Sequence, residues 1–121
     1  MAPDGTVGVS DSLNFRVQRF RPDGTLISSF GLPGDGPGRF ARPKGVAADT
    51  NGRLYVVDAA FENIQIFDPD GTILLHFGGP GNGPGEFVLP SGLFMDSTNN
   101  IWVADSFNRR IQVFRLLTDE P

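Results

Sequence analysis

The chain has 121 residues, of which 39% are apolar and 11 are Phe, so it has the size of one domain and enough apolar side chains for a packed core. Its formal charge of −4 argues against a general polyanion binder. The absence of Cys excludes disulfides and thiolate chemistry. No window approaches the roughly 18 apolar residues of a membrane helix, and the N-terminus lacks the basic and apolar segments of a signal peptide. We expect a soluble domain with no membrane partner, in a compartment that the sequence does not specify.

The chain is built on a unit that repeats every 47 residues without a gap. Residues 4–38 and 51–85 share 16 identities in 35 pairs, clustered at Gly, Pro, Asp and Phe. Sets of equivalent residues include Asp11, Asp58 and Asp105, and also Phe20, Phe67 and Phe114. A period of this length with four apolar runs is typical of a propeller blade.

The complete copy of the unit predicts four antiparallel strands, at 45–48, 54–57, 64–67 and 73–77. The first is a short apolar run without alternation, as expected for a strand that is covered on both faces. Asn51-Gly52 and Asp68-Pro69-Asp70-Gly71 predict tight hairpin turns. The glycine-rich segment 78–85 predicts the connection to the next unit.

Sheets that are apolar on both faces must stack on neighbouring sheets, which predicts an all-β propeller segment of four-stranded antiparallel blades. A flat sandwich of ten strands is the alternative architecture. Residues 1–38 form a partial blade with the second, third and fourth strands, residues 39–85 a complete blade, and residues 86–121 a partial blade with the first three strands. Because such a segment leaves apolar faces open, we expect it to be completed by oligomerisation, as a homodimer with six blades.

We expect both end blades to present apolar faces to a second chain. The residues predicted for these faces are Val7, Val17, Phe20 and Phe30 at one end, and Leu93, Met95, Trp102 and Phe114 at the other. We also expect the amides of residues 5–10, in and around the strand at 6–9, to be among the fastest strand amides in hydrogen exchange. Gly8 stands there where the other units have Tyr55 and Trp102, and the strand has no first strand to pair with.

Four motifs resemble the NHL repeat. They are Pro-x-Gly-Val-Ala-x-Asp at 43–49, Gly-x-Leu-Tyr-Val-x-Asp at 52–58, Asp-Gly-Thr at 70–72 and Asn-x-Arg-Ile-Gln-x-Phe at 108–114. The resemblance covers residues 4–117 and implies a β-propeller, usually six-bladed, with the first strand of each blade at the axis and the last at the rim. It implies no single activity, since relatives include RNA-binding and protein-binding modules, and similar propellers include a lyase and lactonases.

Three equivalent carboxylates end the second strand of each unit: Asp11, Asp58 and Asp105. They could hold Ca²⁺ or act as acids, but the repeat spreads them apart, whereas a metal site needs several oxygens at one point. A structural role is the stronger interpretation, in which Asp105 accepts hydrogen bonds from its loop and Asn108 and Arg110 complete the turn. The central unit departs from this pattern, with Phe61 and Asn63 at the two positions.

Other signs of catalysis are weak. The one histidine, His76, lies on an outer strand without a second His or a Cys. The lyase and lactonase relatives need several His or a cluster of Glu, Asn and Asp, and no such set is visible. The glycine-rich connections lack the Lys of a phosphate loop. We expect no catalytic residue, no metal and no cofactor.

The connections between units and the loops between second and third strands are predicted to share one face, here called the loop face. Its candidate partner-binding residues are Arg16, Arg39, Arg42, Lys44, Phe61, Phe107, Asn108, Arg109 and Arg110. Acidic residues balance the charge of this face: Asp11, Asp35, Asp58, Glu62, Glu86 and Asp105. We therefore expect a non-enzymatic scaffold that self-assembles and binds a protein ligand, and the alternative is an RNA-binding module using the arginines and the two phenylalanines.

The opposite face is predicted to be acidic. It collects Asp4, Asp23, Asp49, Asp68, Asp70 and Asp96.

Overall fold

The computed structural model describes residues 5–33 and 39–116. Its strands are β1 (Val7–Asp11), β2 (Arg16–Phe20), β3 (Leu26–Phe30), β4 (Leu32–Pro33), β5 (Arg39–Phe40), β6 (Pro43–Ala48), β7 (Leu54–Asp58), β8 (Asn63–Phe67), β9 (Ile73–Phe77), β10 (Gly92–Met95), β11 (Asn100–Asp105) and β12 (Arg110–Arg115). One turn of 3-10 helix, Ser12–Asn14, joins β1 to β2. No helix in the described part of the chain is long and apolar enough to cross a membrane.

Three antiparallel sheets contain most of these strands, in the orders β1-β2-β3, β6-β7-β8-β9 and β10-β11-β12. The predicted all-β fold, a segment of a β-propeller, is confirmed. The sequence did not predict β4 and β5, which pair in parallel within the connection between the first two sheets. The unit boundary after residue 38 stays a prediction, because residues 34–38 lie outside the described ranges.

The two predicted hairpin turns of the central sheet are confirmed. The Gly71 N–H donates to the Asp68 carbonyl at 2.9 Å, and the Gly52 N–H donates to the Asp49 carbonyl at 3.1 Å. Both glycines have a positive φ, of 91° and 80°, which only glycine adopts without strain. Each turn therefore fixes the pairing of the two strands that it joins.

Two apolar clusters hold the three sheets together. The first lies between the first and second sheets and is centred on Val17, Phe40, Leu54, Val56 and Phe67. The second lies between the second and third sheets and is centred on Tyr55, Val57, Ile64, Ile66, Phe87, Ile101 and Val103. Alternate residues of β7 therefore serve different clusters, which explains why its four apolar residues, 54–57, are all buried.

Each cluster contains the same group of three phenylalanines, displaced by one repeat. The rings of Phe30 and Phe67 have centroids 4.6 Å apart, and those of Phe40 and Phe67 are 5.7 Å apart. The corresponding distances are 5.0 Å for Phe77 and Phe114 and 5.8 Å for Phe87 and Phe114. In each group, one ring ends an outer strand, one comes from the connection, and one belongs to the next sheet.

A glycine makes room for the ring of the connection. A Cβ atom on Gly78 would lie 2.5 Å from the Phe87 ring, and a Cβ atom on Gly31 would lie 2.7 Å from the Phe40 ring. Both glycines also have a positive φ, of 94° and 116°. Two independent constraints therefore require glycine after each outer strand.

A buried arginine makes the first interface different from the second. Arg19 is buried, and its Nη1 donates to the carbonyl of Pro69 at 2.7 Å. The other units have the apolar residues Ile66 and Val113 at this position. The first interface therefore contains a cation that has to be satisfied by hydrogen bonding.

Among the described strands, β1 pairs only with β2 and lies at the edge of its sheet. Its residues are half-buried or exposed, in contrast to the fully buried β7. A Cβ atom on Gly8 would contact Val46 of the next sheet at 3.3 Å, so the missing ring belongs to this interface. Fast hydrogen exchange in β1 stays a prediction.

We predict that Gly78→Ala destabilises the protein by about 2–4 kcal/mol, because the new methyl group combines an unfavourable φ with a clash against Phe87. Gly79→Ala is the matched control, since a Cβ atom there meets nothing within 4 Å, and its effect should stay within about 0.5 kcal/mol. Denaturant unfolding at one fixed protein concentration measures both changes. Equal unfolding free energies for the two variants would contradict the proposed constraint.

Candidate functional site

Asp105 organises the loop face around the third sheet. Its buried carboxylate accepts hydrogen bonds from the Val88 N–H at 2.8 Å, Asn108 Nδ2 at 2.9 Å and Arg110 Nε at 2.8 Å. Burial opposes ionisation of this carboxyl, but the hydrogen bonds from Asn108, Val88 and Arg110 outweigh it and lower its pKa. The predicted structural role of Asp105, with Asn108 and Arg110 completing the turn, is confirmed.

Arg110 uses the rest of its guanidinium to hold the connection that precedes the third sheet. Its Nη1 donates to the Asn82 carbonyl at 2.9 Å, and its Nη2 donates to the carbonyls of Gly83 and Glu86, both at 2.8 Å. Asn108 Nδ2 also donates to the Gly81 carbonyl, at 3.0 Å. These two candidate partner-binding side chains therefore fix the shape of the loop face from within.

The equivalent carboxylates are satisfied in different ways. Asp11 accepts from Asn14 Nδ2 at 2.9 Å and from Arg16 Nε at 3.0 Å, as in the third sheet. Asp58 accepts from backbone N–H groups, those of residues 41, 42, 60 and 61. Phe61 and Asn63 therefore stand where the other units have side-chain donors, and the buried carboxylate of Asp58 is still satisfied. Oδ1 of Asn63 is itself buried without a hydrogen-bond partner.

The remaining candidate residues differ in exposure. The exposed ones are Arg39, Arg42, Lys44, Phe107 and Arg109, whereas Arg16, Phe61, Asn108 and Arg110 are half-buried. Among the acidic residues, Asp58 and Asp105 are fully buried, and Asp35 lies outside the described ranges. Among the described charged residues of this face, the exposed ones are therefore mainly basic, and Glu86 is the exposed acidic residue. Whether these residues bind a partner stays a prediction.

The opposite face contains a hydrogen-bonded group that the sequence analysis missed. Asp49 is buried and accepts from Tyr55 Oη at 2.9 Å and from Arg53 Nε at 2.8 Å. The pKa of Tyr55 is raised, mainly because the hydroxyl is buried and secondly because it donates a hydrogen bond to Asp49. One repeat later, Asp96 accepts from Trp102 Nε1 at 3.0 Å. The spacing of six residues between the Asp and the aromatic residue is the signal that would have revealed it.

The structure places His76 on an outer strand. This residue is exposed on β9, opposite Gln65. Among residues 5–33 and 39–116, no three His, Asp or Glu side chains are placed to hold a metal ion.

The structure corrects most of the residues predicted for the open end faces. Val17 and Phe30 belong to the first cluster, and Leu93, Met95 and Phe114 belong to the second, so these side chains point inward between sheets. The predictions for Val7, Phe20 and Trp102 agree with the structure, because strand pairing places them on the outer sides of the first and third sheets. The alternation of residues along a strand does not predict which side faces inward here, because both faces of the sheets are apolar.

A known family of propellers matches most of the chain. The family DUF5128, described as a 6-bladed beta-propeller, matches residues 45–120. The more specific resemblance to the NHL repeat stays a prediction. No curated protein shows a significant similarity to the chain.

Several solved structures share the fold. A streptogramin B lyase is 17% identical, with a TM-score of 0.68 over 98% of this chain and 39% of that chain. A catalytically inactive virginiamycin B lyase from Staphylococcus aureus, solved with quinupristin, is 20% identical, with a TM-score of 0.65 over 98% of this chain and 40% of that chain. A protein of unknown function from Bacteroides thetaiotaomicron is 22% identical, with a TM-score of 0.68 over 91% of this chain and 32% of that chain. This chain thus spans two fifths or less of their length, and at these identities the likeness shows the fold alone.

We predict that Asp105→Asn lowers the melting temperature by several degrees at pH 7, because it removes the ionised acceptor of the loop face. Because the pKa of Asp105 is lowered in the folded state, its ionised form stabilises the protein at every pH above its ordinary pKa of 3.8. This stabilisation is lost as the pH falls through the folded-state pKa. The difference between wild type and variant should therefore narrow below about pH 4. Thermal unfolding of both proteins at a series of pH values from 7 to 2.5 measures this difference in melting temperature.

Glu62→Gln, which removes one carboxylate from another loop of the same face, corrects that comparison for net charge. A difference between wild type and Asp105→Asn that stays constant across this pH range would show that the charge of Asp105 contributes nothing.

Proposed function

This chain belongs to a family of 6-bladed beta-propellers, and we propose that it acts as a non-enzymatic scaffold that assembles from two copies into one six-bladed ring. One observation carries the proposal. Apolar positions that are buried in the central sheet are exposed at the outer side of the third sheet, where the next sheet of a ring would lie.

The comparison between equivalent residues is direct. Ile111 is 65% exposed, whereas its equivalent Ile64 is fully buried by the third sheet. Trp102 is 42% exposed, whereas its equivalent Tyr55 is 1% exposed. Phe94 and Val113 lie on the same outer side and are also exposed. The third sheet therefore presents the surface that a following sheet covers elsewhere in this chain.

The outer side of the first sheet also presents apolar residues, at positions that pack against the preceding sheet elsewhere in the chain. Val9 and Leu26 are exposed, and Val7 and Phe20 are half-buried. Their equivalents in the central sheet, Leu54, Val56, Phe67 and Ile73, pack against the preceding sheet. A second copy could thus place its first sheet against the third sheet of this one as an ordinary contact between blades.

Two copies satisfy the symmetry of such a ring. The contact joins different surfaces of the two chains, and contacts of this kind form a closed ring only when the rotations add to a full turn. Three sheets per chain supply half of the six that the family description gives. Burial of the open faces contributes roughly 25 cal/mol per Å² of apolar surface and opposes the entropic cost of association.

We predict that the wild-type chain has twice the monomer mass of 13.1 kDa in light scattering and native mass spectrometry at micromolar concentration. Ile111→Asp should weaken the dimer by more than about ten-fold, because each of the two junctions would bury a carboxylate without a partner.

Phe107→Asp is the matched control for this variant. It places the same charge on a 69% exposed aromatic position of the loop face and should leave the mass unchanged. A stable wild-type monomer would overturn the proposed ring, and a trimer would overturn its blade count.

The proposed scaffold presents its loop face to a protein ligand. Hydrogen bonds from Asn108 and Arg110 fix the loops there, and Phe107 and Arg109 are exposed beside them. An exposed aromatic ring and an arginine on a fixed loop are the residue types that dominate protein interfaces. The proposal that the chain is not an enzyme rests on the sequence, which contains no Cys and one His.

Single-stranded RNA is a second candidate ligand. It is favoured by the burial of two carboxylates of the loop face, Asp58 and Asp105, and by the exposure of Arg42, Lys44 and Arg109. Under this hypothesis, Arg109→Ala should weaken RNA binding and flatten its salt dependence by about one unit of slope. Arg21→Ala removes an exposed charge from the turn between β2 and β3, on the opposite face, and should change neither. Titration of a labelled single-stranded RNA at several salt concentrations measures the affinity and its salt dependence. If the wild-type chain does not bind the RNA at physiological salt, RNA is excluded as the ligand.

A further inference from the structure

Two apolar side chains lie exposed on the loop face of the third sheet. Leu89, in the connection, is 51% exposed, and Phe107, in the loop between β11 and β12, is 69% exposed. The Phe107 N–H donates to the Val88 carbonyl at 3.2 Å, and the hydroxyl oxygens of Ser91 and Ser106 lie 2.5 Å apart. These contacts join the two loops, so they present Leu89 and Phe107 together, here called the apolar pair.

The same positions are open to solvent in the central sheet, which has a neighbouring sheet on both sides. Arg42 is the equivalent of Leu89 and Ala60 is the equivalent of Phe107, and both are exposed. By contrast, exposed apolar residues on the outer side of the third sheet have equivalents that are buried in the central sheet. The apolar pair therefore differs from that outer side, because neighbouring sheets do not cover its positions.

Leu89 has a backbone conformation that is unfavourable for leucine. Its φ is 49°, in the left-handed region that branched side chains rarely adopt. It also precedes Pro90, and a residue before proline is restricted towards extended backbone. The equivalent Arg42 precedes a proline too, but its φ is not positive. Strained residues of this kind concentrate at ligand sites, where the surrounding structure holds them in place.

Basic side chains are exposed beside the apolar pair. Arg109 belongs to the same loop as one member of the pair. Arg42 and Lys44 lie at the start of β6, as the other member lies ahead of β10. These two strands run side by side, since a Cβ atom on Gly45 would lie 3.0 Å from the Cα atom of Gly92. The starts of the two strands therefore bring cations and the apolar pair to the same part of the loop face.

The carboxylates of these loops are mostly withdrawn from solvent. Asp58 and Asp105 are fully buried, and Glu62 is half-buried. Glu86 is exposed, but its Oε1 accepts a hydrogen bond from the Gly83 N–H at 2.9 Å. The surface beside the apolar pair is therefore complementary to a ligand that carries carboxylates.

We propose that the apolar pair binds an acidic peptide segment of a partner protein. An aromatic or branched aliphatic side chain of the segment packs against Leu89 and Phe107, and its Asp and Glu residues face Arg42, Lys44 and Arg109. This inference rests on the proposed protein-binding role of the loop face and adds the chemical class of the ligand. Because hydrogen bonds already fix the loops, binding requires little further ordering of the chain.

The test begins with the full chain as bait for a random peptide library displayed on phage. Selection should enrich peptides in which Asp or Glu flanks an aromatic or branched aliphatic residue. Calorimetry with an enriched peptide, made synthetically, should show saturable binding with a dissociation constant below about 1 mM. The affinity should fall as the salt concentration rises.

Leu89→Gly separates ligand binding from stability. Glycine adopts a positive φ without strain, so this variant should not lower the melting temperature, yet it should weaken peptide binding by more than about five-fold because it removes half of the apolar pair. Phe107→Ser should weaken binding by more than about ten-fold. Leu74→Ser removes a 44% exposed apolar side chain from β9 and should leave the affinity unchanged.

Charge reversal tests the second half of the site. Arg109→Glu should weaken binding by more than about ten-fold and reduce its salt dependence. Arg21→Glu makes the same change at an exposed position on the opposite face and should have little effect.

The contrary outcomes are distinct. Enrichment of basic or uncharged peptides, or affinities that Leu89→Gly, Phe107→Ser and Arg109→Glu leave unchanged, would overturn the acidic ligand and leave the protein-binding role standing. Absence of any enriched peptide would overturn this inference, whereas the proposed ring is judged separately by the mass in solution. Sedimentation with phosphatidylserine vesicles should show no binding, and binding that Phe107→Ser abolishes would assign the apolar pair to a membrane surface instead.

Discussion

The contact between three phenylalanines at each interface is the constraint on which the rest of the structure depends. In each group, the last residue of an outer strand, a residue of the connection and a residue of the next sheet meet around one ring, Phe67 or Phe114. Aromatic rings at these distances add specific geometry to the burial of apolar area. Because the connection supplies one ring, stacking two sheets also fixes the path of the chain between them. That path forms the loop face, so the shape of the candidate ligand surface follows from the packing of the core.

The alternation of β7 explains why no single sheet of this protein is a stable unit. Leu54 and Val56 belong to one cluster and Tyr55 and Val57 to the other, so each sheet needs a neighbour on both sides to bury its apolar residues. The central sheet has both neighbours within the described chain. The first and third sheets each have one, and their outer sides retain the apolar residues that the central sheet buries.

Much of this architecture could be predicted from the sequence, because the repeat identifies equivalent positions and because turns such as Asp68-Pro69-Asp70-Gly71 have strict backbone requirements. The direction of individual side chains could not be predicted in the same way. A period of two shows that Val17 and Gln18 point to opposite sides of β2, but it does not show which side the neighbouring sheet occupies. In a sheet with one polar face, composition would settle that choice. Here both faces are apolar, so residues such as Phe30 and Phe114 were assigned to the wrong side.

The candidate site was less predictable for a related reason. The sequence identifies Asp105, Asn108 and Arg110 as a group. The other acceptors of Arg110, however, are backbone carbonyls, those of residues 82, 83 and 86. Every residue has a backbone carbonyl, so the sequence does not show which ones accept a hydrogen bond. The same holds for Asp58, whose hydrogen-bond donors are backbone N–H groups. Charge counted along the chain therefore says little about which charges reach the solvent.

Arg19 makes the contact between the first two sheets depend on the outer hairpin of the second sheet. Its acceptor, the carbonyl of Pro69, belongs to the turn between β8 and β9. A guanidinium buried against the apolar first cluster without that carbonyl would lose its water without a replacement. Loss of the turn between β8 and β9 would therefore also weaken the contact between the first two sheets, although the turn lies outside the apolar cluster that joins them.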